Sequence, residues 1–227
     1  IIIVFVILTP AIGQITTTKV ASKNDENKTA KYDSLSNFLG KDVYQYLGQD
    51  LYLKGKSESL RKYGYDGFYT DFNKSKFDGG VYKCCDSYNS KYNELEGKYF
   101  KVLDIIKHPK ADESEYLYGK KYYLKLQEKL SSDIVYFEYD TEFEHTFPFI
   151  VVGFFEKLKQ QAVGQKFVFG NTKLRFGDDE LDVKTGKKIV FELGEKWECV
   201  DVTIEEQYYN LSLLLKDNDG QTMTIGY

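Results

Sequence analysis

Histidine and cysteine are scarce in this chain: 2 His and 3 Cys among 227 residues, beside a single Met and a single Trp. General acid–base catalysis needs a titrating group held near its target by an orienting partner, and the scarcity leaves few candidates. The composition allows one cysteine-hydrolase set, Cys85 with His108 or His145 and Glu144, and nothing around these residues resembles a nucleophile turn. Glu142, Glu144, His145 and a cysteine are zinc-ligating types, but no pair among them has the usual short spacing. Asp217-Asn218-Asp219-Gly220 looks like a fragment of a calcium loop, yet an EF-hand needs acidic residues where this chain has Leu215 and Gly226. Between Leu213-Leu214-Leu215 and Met223-Thr224-Ile225, Asp-Gly reads instead as a hairpin turn. Gly186-Lys187-Lys188 lacks the upstream glycine of a phosphate loop. No carboxylate pair for glycoside cleavage stands out among the 35 acidic residues. On these grounds no catalytic residue, cofactor or metal ligand is assigned.

Three cysteines cannot make a disulfide framework, because one is always left over and the adjacent Cys84 and Cys85 bridge each other only through a strained ring. Cys199 reads as a small core hydrophobe, with a bridge to Cys84 or Cys85 as the alternative in an oxidising compartment. An excess of basic charge is also missing. The formal net charge is -4, and lysines are mixed with acidic residues throughout, so no basic stripe marks a nucleic-acid partner. Residues 1–8 form an unbroken apolar run, too short to span a bilayer. Thr9-Pro10 and the small residues Ala11 and Gly13 follow, the pattern of a signal peptide cleaved after Gly13. With no initiator Met and no basic n-region, 1–13 is expected to be the tail of a longer signal. No Cys stands at the cleavage point to make a lipoprotein. A secreted or periplasmic protein of the cell envelope, without a membrane span, is the expectation.

What the chain has in quantity is aromatic: 20 Tyr and 16 Phe. Such residues favour strands and half-buried faces. Short motifs also recur in one order. Gly48-Gln49-Asp50-Leu51 is echoed by Gly164-Gln165-Lys166-Phe167, and Gly97-Lys98-Tyr99-Phe100 by Gly194-Glu195-Lys196-Trp197. Tyr122-Tyr123-Leu124-Lys125-Leu126 is echoed by residues 208–213. Three matches in sequence predict a duplicated β module. The predicted organisation is a flexible polar leader over 14–31, a first module over 32–155 and a second over 156–227. Both are small barrels or sandwiches, making the protein mainly β with a short helical element.

The first copy carries an insertion, 56–92, in which aromatics and glycines interleave. Irregular insertions lie on the surface, where backbone groups can be solvated. Tyr63, Tyr65, Phe68, Tyr69 and Phe72 within it are the candidate binding residues, since exposed rings stack on sugars or fill a partner's pockets. The competing reading packs the same rings against the module as cross-strand pairs.

The exported leader and the Gly-Lys-aromatic motifs in Tyr- and Lys-rich modules resemble uncharacterised secreted proteins of Bacteroidota. They also resemble tandem small barrels of the SH3-like type. That resemblance implies no single activity. The expected function is a non-enzymatic module that binds a protein or glycan at the cell envelope. The rivals are a secreted hydrolase using His145 or Cys85, and a purely structural envelope component.

Overall fold

Alternation of apolar and polar residues builds most of the described strands. The computed structural model describes residues 31–74, 76–168, 181–189, 194–204 and 211–227. The expected signal peptide, nearly all of the expected leader, the apolar stretches at 173–176 and 190–193, and Tyr208, Tyr209 and Asn210 lie outside the described residues. Twelve strands are present among the described residues: β1 (Asp50–Leu53), β2 (Phe68–Tyr69), β3 (Cys84–Asp86), β4 (Asn89–Ser90), β5 (Tyr99–Lys107), β6 (Lys121–Glu128), β7 (Ile134–Asp140), β8 (Phe149–Val151), β9 (Lys166–Val168), β10 (Lys196–Ile204), β11 (Leu211–Lys216) and β12 (Thr222–Gly226). Helical structure is limited to three single-turn helices, α1 (Glu58–Arg61), α2 (Tyr92–Leu95) and α3 (Glu115–Tyr118), the longer α4 (Val152–Ala162), and short 3-10 segments such as Gly40–Tyr46.

The protein is mainly β, and every strand pairing is antiparallel. A six-stranded sheet runs β2-β7-β6-β5-β1-β8, a four-stranded sheet runs β12-β11-β10-β9, and β3 and β4 form a separate ribbon. Neither larger sheet closes on itself among the described residues. In the first sheet Leu51 sits opposite Phe100; in the second Phe167 sits opposite Trp197. Gly48 donates its N–H to Val102 O, and Gly164 donates to Cys199 O, at 2.9 and 2.8 Å. A bulge follows Val102 in β5 and Cys199 in β10, and in each case the next aspartate, Asp104 or Asp201, accepts the N–H of its successor.

That bulge corrects one sequence reading. Strict alternation puts Ile105 opposite Phe100 and Val102, but the extra residue returns Ile105 to the core face and leaves Leu103 turned outward. The third echo needs a similar correction. Leu124 pairs with Ile105 and Leu126 with Val102, as Leu213 pairs with Val202 and Leu215 with Cys199. Leu126 therefore corresponds to Leu215, not to Leu213. Leucines at 211, 213 and 215 look alike under a slip of two residues, so the pattern alone could not set the register.

The helix between the sheets is longer than the one or two turns predicted from residue 156, and the boundary expected at 155/156 falls inside it. Phe154, Phe155, Leu158 and Ala162 place a stripe on one face of α4, which packs against β10, β1 and β8. One cluster of buried side chains includes Leu51, Phe100 and Phe149 from the first sheet, these α4 residues, and Trp197, Leu215 and Met223 from the second. At the first turn of α4, Gly153 lies so close to Tyr32 that a Cβ would sit 2.5 Å from the tyrosine Cβ. The outer edge of β8 is covered by Asn37, whose amide donates to Phe149 O and accepts from Val151 N.

Candidate functional site

Three ties hold the inserted segment 56–92, two of them to the first sheet, and these ties shape a cleft. β2 adds to the sheet edge beside β7, with Phe68 opposite Phe137 and Tyr69 opposite Tyr136. Neighbouring residues of a strand point to opposite faces, so Phe68 enters the core and Tyr69 packs edge-on against Tyr123 on the other face. Tyr65 and Ser90 exchange backbone hydrogen bonds, which holds the two ends of the insertion together. The third tie is ionic. Glu128, at the end of β6 and 1% exposed, accepts from Lys98 (2.6 Å), Lys83 (3.0 Å) and the Tyr82 hydroxyl (2.9 Å). Burial by itself would raise the Glu128 pKa, but these donors outweigh it and hold the carboxyl down at about 2.

The predicted binding residues separate into three groups. Phe68 and Tyr65 are each 1% exposed. Phe68 touches the rings of Phe100, Phe137 and Phe149, while Tyr65 stacks on Tyr92 and donates its hydroxyl to Lys54 O. Both are framework with almost no exposed ring, and Tyr65 also lines the larger cavity described below. Tyr69 and Phe72 stand at the wall of a concave surface, with burial and the Glu138 charge raising the Tyr69 phenol pKa. Tyr63 is exposed but lines neither cavity of that surface.

The concave surface consists of two adjoining cavities on the outer side of the β7–β6 edge. The larger, about 860 Å3, lies between the 65–67 turn, α3 with the start of β6, and the 142–148 segment. Tyr116 from α3, 93% exposed, and Phe143, 50% exposed, offer ring surface at its rim. Its charges are balanced: Lys121 pairs with Glu138, Lys120 with Glu142, and Lys76 with Asp66 at 3.7 Å. Asp140 accepts from the Glu142 N–H. Lys56 donates to Gly64 O and lies over the Tyr65 ring, and burial lowers its pKa. The smaller cavity, about 280 Å3, shares Tyr69, Lys76 and Glu138 with the larger.

His145 lines the larger cavity beside Phe143 and has no hydrogen-bond partner among the described residues. His108 lines the smaller one. Cys85, beside Cys84 on exposed β3, lines neither, so the structure does not bring the cysteine-hydrolase set together. Cys199 is a free, buried thiol at Asp201 O. Among the described residues no group of three or more His, Cys, Asp or Glu is placed to hold a metal, and no helix is long and apolar enough to cross a membrane.

Sequence reasoning missed Tyr116 and Phe143. Tyr116 lies between the charged stretch 107–115 and the Tyr122-Tyr123 motif, where the available signal was Ser114, whose side chain caps α3 by accepting from Leu117 N. Phe143 sits among Glu142, Glu144 and His145, whose ionisable side chains are the stronger local signal. Compared with protein-family models, with curated proteins and with solved structures, the chain matches none.

Proposed function

We propose that this is an exported, non-enzymatic binding module that takes a glycan at the cell envelope, in the cleft between α3, the 65–67 turn and the 142–148 segment. The observation that carries the reading is the open cleft with ring surface at its rim and alternating lysines and carboxylates along its walls. Sugars present apolar C–H faces and a fringe of hydroxyls, which such a surface answers with rings and with both donors and acceptors. A purely structural component has no need of a concave site of this kind. The rival reading is a hydrolase using His145, which lines the same cleft; against it, each of the four carboxylates there is engaged by a lysine or a main-chain N–H and none pairs with the imidazole to orient it. Export rests on residues 1–13. The two matching meanders support descent from one duplicated module, related to small SH3-like barrels.

The test is a glycan array followed by calorimetry with Tyr116→Ala, Phe143→Ala and Tyr63→Ala. Each rim substitution is expected to weaken binding roughly 2- to 10-fold, the value of one ring contact, with no change for Tyr63→Ala. Absence of any oligosaccharide ligand, or equal losses from all three variants, would refute the assignment.

A further inference from the structure

The two adjoining cavities differ in charge. Four lysines face four carboxylates in the larger, whereas Lys74, Lys76 and Lys110 face Glu138 alone in the smaller. Glu138 is already neutralised by Lys121, and Lys76 is paired with Asp66. Lys74 and Lys110 remain, both exposed, and neither ammonium has a carboxylate partner among the described residues.

Between these lysines the cavity holds a stack of three rings. His108 lies 4.4 Å from Tyr118 at 9° and 5.3 Å from Tyr123 at 25°. Its Nδ1 accepts the Lys110 N–H at 3.1 Å, so the neutral imidazole carries its proton on Nε2. Burial lowers the His108 pKa, which favours that neutral form. The Nε2–H donor has no partner among the described residues. Tyr69 and Phe72, from the inserted segment, supply ring surface beside it.

On the reading that the larger cleft holds a glycan, we infer that the smaller cavity selects an anionic sugar residue, bearing a carboxylate or a sulfate ester. Lys74 and Lys110 answer its charge, the His108 Nε2–H donates to an anionic oxygen, and the rings of Tyr69 and Phe72 take the apolar side of the pyranose. A neutral sugar uses the rings but leaves both ammonium groups in water. Discrimination is thus electrostatic and falls with salt.

Calorimetry on the full chain with an oligogalacturonate, a sulfated galactan oligosaccharide and a neutral galacto-oligosaccharide tests this, and the first two arms separate carboxylate from sulfate. At least one anionic probe is expected to bind about ten-fold more tightly than the neutral one at low salt, since two exposed charge contacts together reach that factor. The double variant Lys74→Gln/Lys110→Gln is expected to remove that preference and leave neutral binding unchanged, while Lys187→Gln, in a loop that lines neither cavity, does nothing. Equal binding of neutral and anionic probes, or a preference that survives the double substitution, overturns the selection of anions and leaves the glycan reading intact. No binding of any probe overturns both.

Discussion

Glu128 shows how a single carboxylate fastens a surface segment to a sheet. It is buried, and its charge is supported by Lys83 and Tyr82 from the inserted segment and by Lys98 from the turn before β5. Its pKa in the fold, about 2, lies below the ordinary 4.5, so its contribution is fully present above about pH 5 and is lost as pH falls towards 2. The size of that contribution is about 3 kcal/mol. Urea denaturation of Glu128→Gln should therefore show a loss of about 3 kcal/mol at pH 7 and a much smaller difference from the parent near pH 2. A constant gap across that range would mean that packing, not charge, is what Glu128 supplies. The fate of the five aromatic candidates is also decided at this scale. Tyr65 and Phe68 are framework, and Tyr69 and Phe72 are wall. A ring's type says that it will be half-buried; only its neighbours say which half.

At the scale of elements, the insertion behaves as a clamped loop whose ends meet at Tyr65 and Ser90. Gly64, immediately before that pairing, has φ +58, and a Cβ there would stand 2.1 Å from Ser90 O. Gly64→Ala should thus cost at least ~2 kcal/mol, from the left-handed conformation and the backbone clash together. Limited proteolysis should then cut within 56–92 faster, while α4 stays protected from hydrogen exchange. Loss of protection throughout would show that the insertion is integral to the core. The strands themselves were largely legible. Leu51 and Leu53 alternate as expected, and Asp-Gly at 219–220 turns the β11–β12 hairpin. Bulges after Val102 and Cys199 were not, because a bulge changes which face a residue sees without changing the residue types around it.

For the whole molecule, the shared core predicts cooperative unfolding. The single tryptophan, Trp197, is buried in the second sheet, whereas most of the described tyrosines belong to the first sheet and its insertion, so the two kinds of ring report on different parts. Thermal transitions followed by tryptophan fluorescence and by near-UV circular dichroism of tyrosine should coincide. Phe155→Ala, which empties part of the helix between the sheets, should lower both together by roughly 3–5 kcal/mol. Two separated transitions would establish independent modules. Read along the chain, alternation and turn residues were enough to place most of the strands, since those signals are local and repeat every few residues. Which strand joins which edge could not be read that way. Pairing of β2 with β7 joins residues far apart in the chain, and it places Tyr69 beside Tyr123 while sending Phe68 inward. The cleft exists only because that edge, α3 and the 142–148 segment come together in space, and local periodicity gives each residue a face of its strand without naming the distant strand that it pairs with.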